Sequence, residues 1–397
     1  MNTFLQEFTS TGSKIPWHRD VVDGLRAGKG VPKVAGIFIT DICQHSCSFC
    51  STANRARDVL PLRKIKVFVE QLIPLGLKAV ILSGGGNPIL YRDTEETQID
   101  HSMLPKRRAT FNDVVKYLNS KGLQIGLITN GLPLDEFVVQ DKETESGLFP
   151  IKIRKSWRGI KPETLDRLTW IRISLSAWDH GEEVQIPDID TAKTTLGGSW
   201  VYHDSYEEPQ DRHGRVSRPE DMKSPIADTT KIVYGKDRLP IIKEKMRDLL
   251  AKYPFQYIRT LPNCYQPDLI PQRCKELEEM GREIDARIFQ QYKPPSPHSV
   301  CLLGYSHPVL WPDGGVTPCD SCTLNSEANR SVGGNIYKIA QWDTIGGLYE
   351  QPVRSLIDPM KYCSGCVFGS QNRLLDRIWK GEDVQPSGDM PLHHNFI

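Results

Sequence analysis

The chain has 397 residues, enough for one large domain or two, and at 39% hydrophobic and 25% charged it has ample material for a globular core. With 50 Lys and Arg against 49 Asp and Glu the formal net charge is +1, so bulk electrostatics give no clear nucleic-acid or membrane signal. The first residues lack the charged and apolar regions of a signal peptide, and no apolar run approaches the roughly 18 residues of a membrane span; a cytoplasmic protein is predicted.

Residues 1–32 read as a short leader with a helix near 18–26. From residue 33 strand and helix signals alternate, the pattern of parallel βα units. The apolar run 34–39 is the first buried strand. It leads into a loop holding Cys43, Cys47 and Cys50, spaced C-x3-C-x2-C, with Phe49 just before the third. Three thiolates this close can hold three corners of an iron–sulfur cube. With no fourth cysteine nearby, one iron is left open to a substrate or cofactor. A zinc knuckle, the plainer reading, usually shows C-x2–4-C pairs that close to four ligands.

A helix is predicted over 62–75, where Leu62, Ile65, Phe68, Val69 and Leu72 form one stripe. The strand 79–82 runs into Ser83, Gly84, Gly85, Gly86, Asn87 and Pro88. Phe111, Val114, Val115 and Leu118 mark the next helix. A third strand, 124–128, ends in Thr129, Asn130 and Gly131, and a fourth covers 170–175. In the fourth, Arg172, Ser174 and Ser176 alternate with apolar residues and so share one face, toward a barrel interior. Asp179 and His180 follow, as acid, base or substrate contacts or, equally well, as solvated loop residues. Residues 181–236 are polar and rich in Gly, Pro, Asp and Arg, and read as an insertion or lid. Order returns with a helix over 241–253, a strand over 256–261, a helix over 269–280 and a sixth strand over 286–289. Cys274 falls on an apolar stripe with Ile270 and Leu277 and reads as a core thiol; Cys264, just past a strand end, reads as a buried loop cysteine or a hydrogen donor. A Pro-rich joint at 293–297 marks a boundary.

The remaining cysteines are Cys301, Cys319, Cys322, Cys363 and Cys366. Ten cysteines in a reducing compartment are not a disulfide framework, and their grouping at the two ends of the chain suggests two metal centres.

The cysteine loop and the segments after it resemble the radical S-adenosylmethionine (radical SAM) superfamily. The resemblance implies a partial (β/α)6, TIM-like barrel with the chemistry at the C-terminal strand ends. It implies a [4Fe–4S] cluster on Cys43, Cys47 and Cys50 whose open iron chelates S-adenosylmethionine. Reductive cleavage then produces a 5′-deoxyadenosyl radical that abstracts hydrogen from a substrate. The glycine run resembles the family's G-G-E-P motif, which approaches the methionyl ammonium; Asn87 replaces the acidic residue, so its carbonyl accepts without a full charge. Family members also imply cofactor roles for Ser174, Arg172 and Ser176, a pocket-shaping T-N-G turn at Asn130, and adenine packing for Phe49, for which loop packing is the rival.

The stretch Cys301-x12-Gly314-x4-Cys319, followed by Cys363-x2-Cys366, resembles the family's C-terminal SPASM or shorter twitch extension. Five cysteines rather than seven imply a twitch-like domain with one auxiliary [4Fe–4S] cluster on Cys301, Cys319, Cys363 and Cys366, Cys322 being an alternative ligand. A four-cysteine zinc site is the rival. The domain reading is therefore a leader over 1–32, a barrel over 33–292 with an insertion at 181–236, and an auxiliary-cluster domain over 293–397.

The function expected is hydrogen abstraction from a small-molecule, nucleotide or peptide substrate, with net oxidation through the auxiliary cluster and a reductant such as flavodoxin or ferredoxin. A redox-neutral radical rearrangement is the runner-up. The rival from another class is a non-catalytic iron–sulfur or zinc scaffold or sensor.

Overall fold

The computed structural model describes residues 8, 12–45, 47, 49–52, 57–97, 107–131, 137–140, 153–156, 159–175, 178, 186, 188–203, 205–206, 232–233, 235–263, 266–292, 294, 296–324, 337–363 and 366–397. Its centre is a ten-stranded sheet. Seven strands run parallel and in chain order across it: β1 (Val34–Phe38), β2 (Ala79–Ser83), β3 (Gln124–Thr129), β4 (Trp170–Ser174), β5 (Thr195–Tyr202), β6 (Tyr257–Pro262) and β7 (Ile288–Gln290). Beyond β1 the sheet continues into β8 (Val309–Leu310), parallel to β1, and then antiparallel into β9 (Gly315–Thr317) and β10 (Ala340–Gln341). The mixed α/β architecture is that of the partial TIM-like barrel expected. The C-terminal hairpin extends the barrel sheet itself.

The helices follow the predicted stripes. Leu62–Leu72 buries Leu62, Ile65, Phe68, Val69 and Leu72, and Phe111–Ser120 buries Phe111, Val114, Val115 and Leu118. Complete burial of each such side chain contributes about 1.5–3 kcal/mol. The helix Gly235–Lys252 starts earlier than its apolar stripe, and Ile270–Ile284 runs further than predicted. On this last helix Cys274 is only half-buried and its sulfur accepts a hydrogen bond from Gln290 Nε2 at 3.2 Å. The core positions are taken by Leu277 and Met280, with the Arg273 guanidinium buried over the Tyr202 ring.

One strand was not visible as such. Within the predicted insertion 181–236 lies β5, buried over nearly its whole length between β4 and β6. Its Gly197-Gly198 pair disguised it, since glycines weaken a strand signal. A close approach explains Gly197: a Cβ there would stand 2.1 Å from Tyr257 Cζ on the neighbouring strand.

Residues near the C-terminus close the N-terminal end of the barrel. Phe396 packs edge-on against Trp170 at the start of β4, Asn395 donates to Gln124 at the start of β3, and the His393 ring contacts Thr195 Oγ1 at the start of β5, 2.9 Å away. His18 Nε2 donates to the His394 carbonyl at 3.0 Å. Among the described residues no helix is long and apolar enough to cross a membrane.

Burial outweighs the bond to the His394 carbonyl and holds the His18 imidazole down at about 4; burial also holds His393 at about 4. In the unfolded chain both take a proton near 6.5. Between these values the unfolded state binds more protons, so stability is complete above pH 6.5 and falls as pH drops toward 4. Urea unfolding at pH 7.5 and 5 should therefore show a loss on the order of a few kcal/mol at the lower pH. The double variant His18→Gln, His393→Gln should lose less, and equal loss in variant and wild type would remove these residues from the account.

Candidate active site

The first cysteine group sits where β1 ends. The loop leaves the sheet at Thr40 and returns at Val59, the two joined by an antiparallel bridge. Asp41 N–H donates to the Asp58 carbonyl at 2.8 Å, and Leu60 N–H to the Ile39 carbonyl at 3.0 Å. Inside this closed loop, Cys50 N–H donates to the Cys47 carbonyl at 3.0 Å, so the C-x2-C pair forms a tight turn. Cys43, Cys47 and Cys50 are in no disulfide and are half-buried.

The glycine run after β2 is docked directly onto this loop. Gly86 N–H donates to the Thr40 carbonyl at 2.9 Å, and Asn87 N–H to the Ile42 carbonyl at 2.8 Å. The approach is too close for a side chain: a Cβ on Gly86 would stand 2.1 Å from Ile42 O. From the loop's other limb, Thr52 Oγ1 donates to the Gly85 carbonyl at 3.0 Å and stands 3.3 Å from Cys50 Sγ.

Asn87 is buried, and its side-chain carbonyl is already engaged, accepting from Thr129 Oγ1 at 2.8 Å and Ile89 N–H at 3.3 Å. Its amide nitrogen donates to Asn130 Oδ1 at 2.8 Å and Gln44 Oε1 at 3.3 Å. Asn130 in turn points its own amide nitrogen at His45 Nδ1, 3.3 Å away, and at Cys43 Sγ, 3.9 Å away. The departure from the acidic residue of the family's motif thus builds a neutral amide network that ties the cysteine loop, β2 and β3 together. Gln44 and His45 were not singled out in the sequence; their position between two predicted ligands was the available signal.

Phe49 packs at a tilt of 55° against His203, just past β5, with ring centroids 4.6 Å apart. Ser174 and Arg172 are half-buried on the inward face of β4, while Ile171, Ile173 and Leu175 are fully buried on the other. Ser176, Asp179, His180 and Cys264 lie outside the described residues.

The C-terminal cysteines are gathered from three segments. Cys319 follows the β8–β9 hairpin and is fixed through its carbonyl, which accepts from Thr317 Oγ1 at 2.7 Å and Cys322 Sγ at 3.4 Å. Cys301 N–H donates to Ser355 Oγ at 2.9 Å, and Cys366 N–H to the Cys363 carbonyl at 3.2 Å, a second C-x2-C turn. Burial, then Cys366, pushes the Cys363 thiol up to about 12, with Tyr337 opposing. Burial also raises Cys301 and Cys319, each further raised by the other cysteines of the group, Cys322 included. Buried thiols of this kind are poor nucleophiles. A metal or cluster is what deprotonates such groups, and several thiols near enough to influence one another's charge have the chemistry to hold one. Among the described residues no three acidic, histidine or cysteine side chains converge tightly on a point suited to one metal ion. The ligands of a cube-shaped cluster sit on separate irons and do not need that convergence.

The barrel interior holds a cavity of about 280 Å³, reached by the last residues of β1 and β2, Phe38 and Ser83, and flanked by neighbours of the C-terminal cysteines. Phe38, Ile128 and Leu261 give it apolar walls, and Arg172 and Arg259 give it charge. Asp320 and Val367, next to Cys319 and Cys366, complete its side. Arg259 was missed in the sequence, although it shares a strand face with Tyr257 and Leu261 and alternates with Ile258 and Thr260, just as Arg172 alternates with Ile171 and Ile173 on β4.

Residues 37–145 match the family model described as the Radical SAM superfamily, so the chain carries a radical SAM domain. That family supports binding of a [4Fe–4S] cluster and S-adenosylmethionine. Solved structures to which the chain is similar include Streptococcus suis SuiB bound to precursor peptide SuiA, 13% identical, covering 85% of this chain and 69% of that one with a TM-score of 0.46. Streptococcus suis SuiB bound to S-adenosylmethionine is 12% identical over 78% of this chain and 67% of that one, TM-score 0.40. BtrN in complex with AdoMet and 2-DOIA is 11% identical over 90% of this chain and 93% of that one, TM-score 0.35. No curated protein is significantly similar to the chain in sequence.

The Gly86 contact makes a direct prediction. Gly86→Ala should push the Thr40–Ile42 backbone away and lower the thermal midpoint by several degrees, as expected for about 1–3 kcal/mol of overpacking. A variant that melts with the wild type would show that the loop yields freely.

Proposed function

We propose that this chain, a member of the radical SAM superfamily, is an enzyme that removes a hydrogen atom from a substrate held in the barrel cavity and completes a net oxidation. The observation that supports the proposal is two separate cysteine groups, one on the loop that follows β1, whose last residue Phe38 lines the cavity, and one adjoining the cavity wall at Asp320 and Val367. In this reading Cys43, Cys47 and Cys50 hold the cluster that binds S-adenosylmethionine. Cys301, Cys319, Cys363 and Cys366 hold an auxiliary [4Fe–4S] cluster, with Cys322 buried among them. When bound, the first cluster and S-adenosylmethionine supply the 5′-deoxyadenosyl radical, and the auxiliary cluster supplies a one-electron acceptor beside the cavity.

The protein's own residues set the geometry. The bridge from Thr40 to Val59 and the glycine docking fasten the two limbs of the first loop at the rim of the barrel. Asn130 directs a donor at Cys43, a contact that would favour its thiolate. Gly84, Gly85 and Gly86 keep their proposed place beside the cofactor, acting through backbone atoms; the Asn87 side chain acts by orienting Asn130. Phe49, backed by His203, would form an aromatic wall on the cofactor's side, with Ser174 and Ser176 as polar contacts. The apolar cavity walls exclude water from a reactive radical. Residues 1–32 serve as leader, 33–292 as barrel and 293–397 as the auxiliary-cluster region. The substrate is a small molecule, a nucleotide or a peptide segment, and a flavodoxin- or ferredoxin-like reductant supplies electrons.

Anaerobically reconstituted protein should hold about eight irons, and replacing Cys43, Cys47 and Cys50 by Ala should leave about four. With dithionite and S-adenosylmethionine the wild type should form 5′-deoxyadenosine and the triple variant none. Zinc in place of iron, or no 5′-deoxyadenosine from the wild type, would sink the proposal.

A further inference from the structure

We infer that the barrel cavity recognises an anionic group of the substrate, a carboxylate or a phosphate, through Arg259 and Arg172; the assignment rests on the reading that substrate occupies this cavity. The two arginines stand on β6 and β4, either side of β5, in a position fixed by the sheet. Arg172 is in register with Gly197, and Arg259 with Ser199. The intervening strand therefore presents a hydrogen and a hydroxymethyl group between two guanidinium-bearing chains. Below them lies an aromatic floor, with the Arg172 guanidinium 5.6 Å from the centre of the Trp170 ring and Tyr257 preceding Arg259 on the same face.

Among the described residues the charge of this pair is poorly balanced. Arg259 donates to Gln291 Oε1 at 2.8 Å and to Ser199 Oγ at 3.4 Å, both neutral. Its exposed area faces the cavity, while protein surrounds the side chain. Burial, then the Arg172 charge, lowers its proton affinity, with Tyr257 and Asp320 opposing. The Nε atoms of both arginines are buried without a hydrogen-bond partner. Arginine keeps its charge under such pressure, so the cost is carried as uncompensated charge in the apolar interior. Native proteins rarely leave such groups unsatisfied, and a missing ligand is one explanation. Asp320 is the one carboxylate among the described lining residues, and it belongs to an exposed residue at the cavity's side. Guanidinium groups match the planar, multidentate geometry of carboxylates and phosphates. Phe38, Ile81, Ile128, Leu261 and Val309 make the remaining walls mostly apolar, with Ser83, Gln291, Tyr292, His307 and Ser321 as the polar groups among them. The occupant is therefore a molecule with one anionic end and a less polar body.

Arg172 lies level with Phe38 across the sheet, through Ser83 and Ile128, and so stands deeper than the cysteine loop that follows β1. That depth favours substrate over the carboxylate of S-adenosylmethionine as the anion, and the test separates them. The reconstituted full chain would be melted without S-adenosylmethionine at constant ionic strength, with chloride exchanged stepwise for inorganic phosphate or for acetate. A saturable rise of about 5 °C with phosphate or with acetate is expected, and which anion produces it identifies the substrate's group. Arg172→Met and Arg259→Gln should each abolish the rise. Among the described residues Arg172 makes no hydrogen bond that would be lost, so Arg172→Met should melt at or above the wild-type temperature in chloride, even if Arg259→Gln fails to fold.

No anion-specific rise in the wild type, or an undiminished rise in Arg172→Met, would overturn the inference. Melting of Arg172→Met well below the wild type in chloride would do the same, by assigning the residue to packing. Competition between S-adenosylmethionine and the anion would assign the arginines to the cofactor and overturn the substrate assignment. Formation of 5′-deoxyadenosine by the same wild-type preparation tests the enzyme reading separately, so either can fail without the other.

Discussion

Two backbone hydrogen bonds, from Gly86 and Asn87 to the carbonyls of Thr40 and Ile42, hold the site together. They fasten the loop bearing three cysteines to the end of the neighbouring strand. A loop of this length with half-buried thiols depends on such bonds, together with the bridge from Thr40 to Val59, because its own apolar content is small. The contact requires a residue without a side chain at position 86, since the Ile42 carbonyl fills the space a Cβ would need. The glycine run is thus a packing requirement first. Any service to a cofactor comes through the backbone groups that this packing leaves in place.

Around that contact the polar side chains act as a relay of position. Asn87 satisfies its amide on Asn130, Thr129 and Gln44, and Asn130 is thereby turned toward His45 and Cys43. A carboxylate at position 87 could accept from the same neighbours but could not donate to Asn130 and Gln44. The asparagine therefore exchanges a charge at the rim for a fully bonded neutral hub beneath the cysteine loop. At the opposite end of the barrel, Phe396, Asn395 and His393 cover the strand starts, which leaves the cavity framed by the cysteine-bearing segments and the two arginines.

Much of the barrel was legible because buried parallel strands and amphipathic helices write their burial into residue order. The strand at 34–38 and the helix at 62–72 came through in this way, on apolar runs and a single stripe. The strand at 195–202 did not, because its Gly197-Gly198 pair answers to Tyr257 and Phe255, residues some sixty positions away. The same distance effect hid Arg259. Alternation along 257–262 puts it on the face of Arg172, but only the pairing through β5 shows that two positive charges share one cavity. Asn87 illustrates the reverse case: its place in a recognisable motif suggested an open contact, and burial had already committed its carbonyl.

The sequence by itself determined the cysteine spacing, the alternation of strand and helix, and the family resemblance, since each of these is carried by neighbours along the chain. Tertiary structure alone decided which distant groups meet. It brought Cys301, Cys319 and Cys322 to Cys363 and Cys366, and it set Arg172 and Arg259 together on the wall of the barrel cavity. The physical reason is that ligand sets and charge balance depend on separations through space, and strand register fixes those only after the sheet has formed.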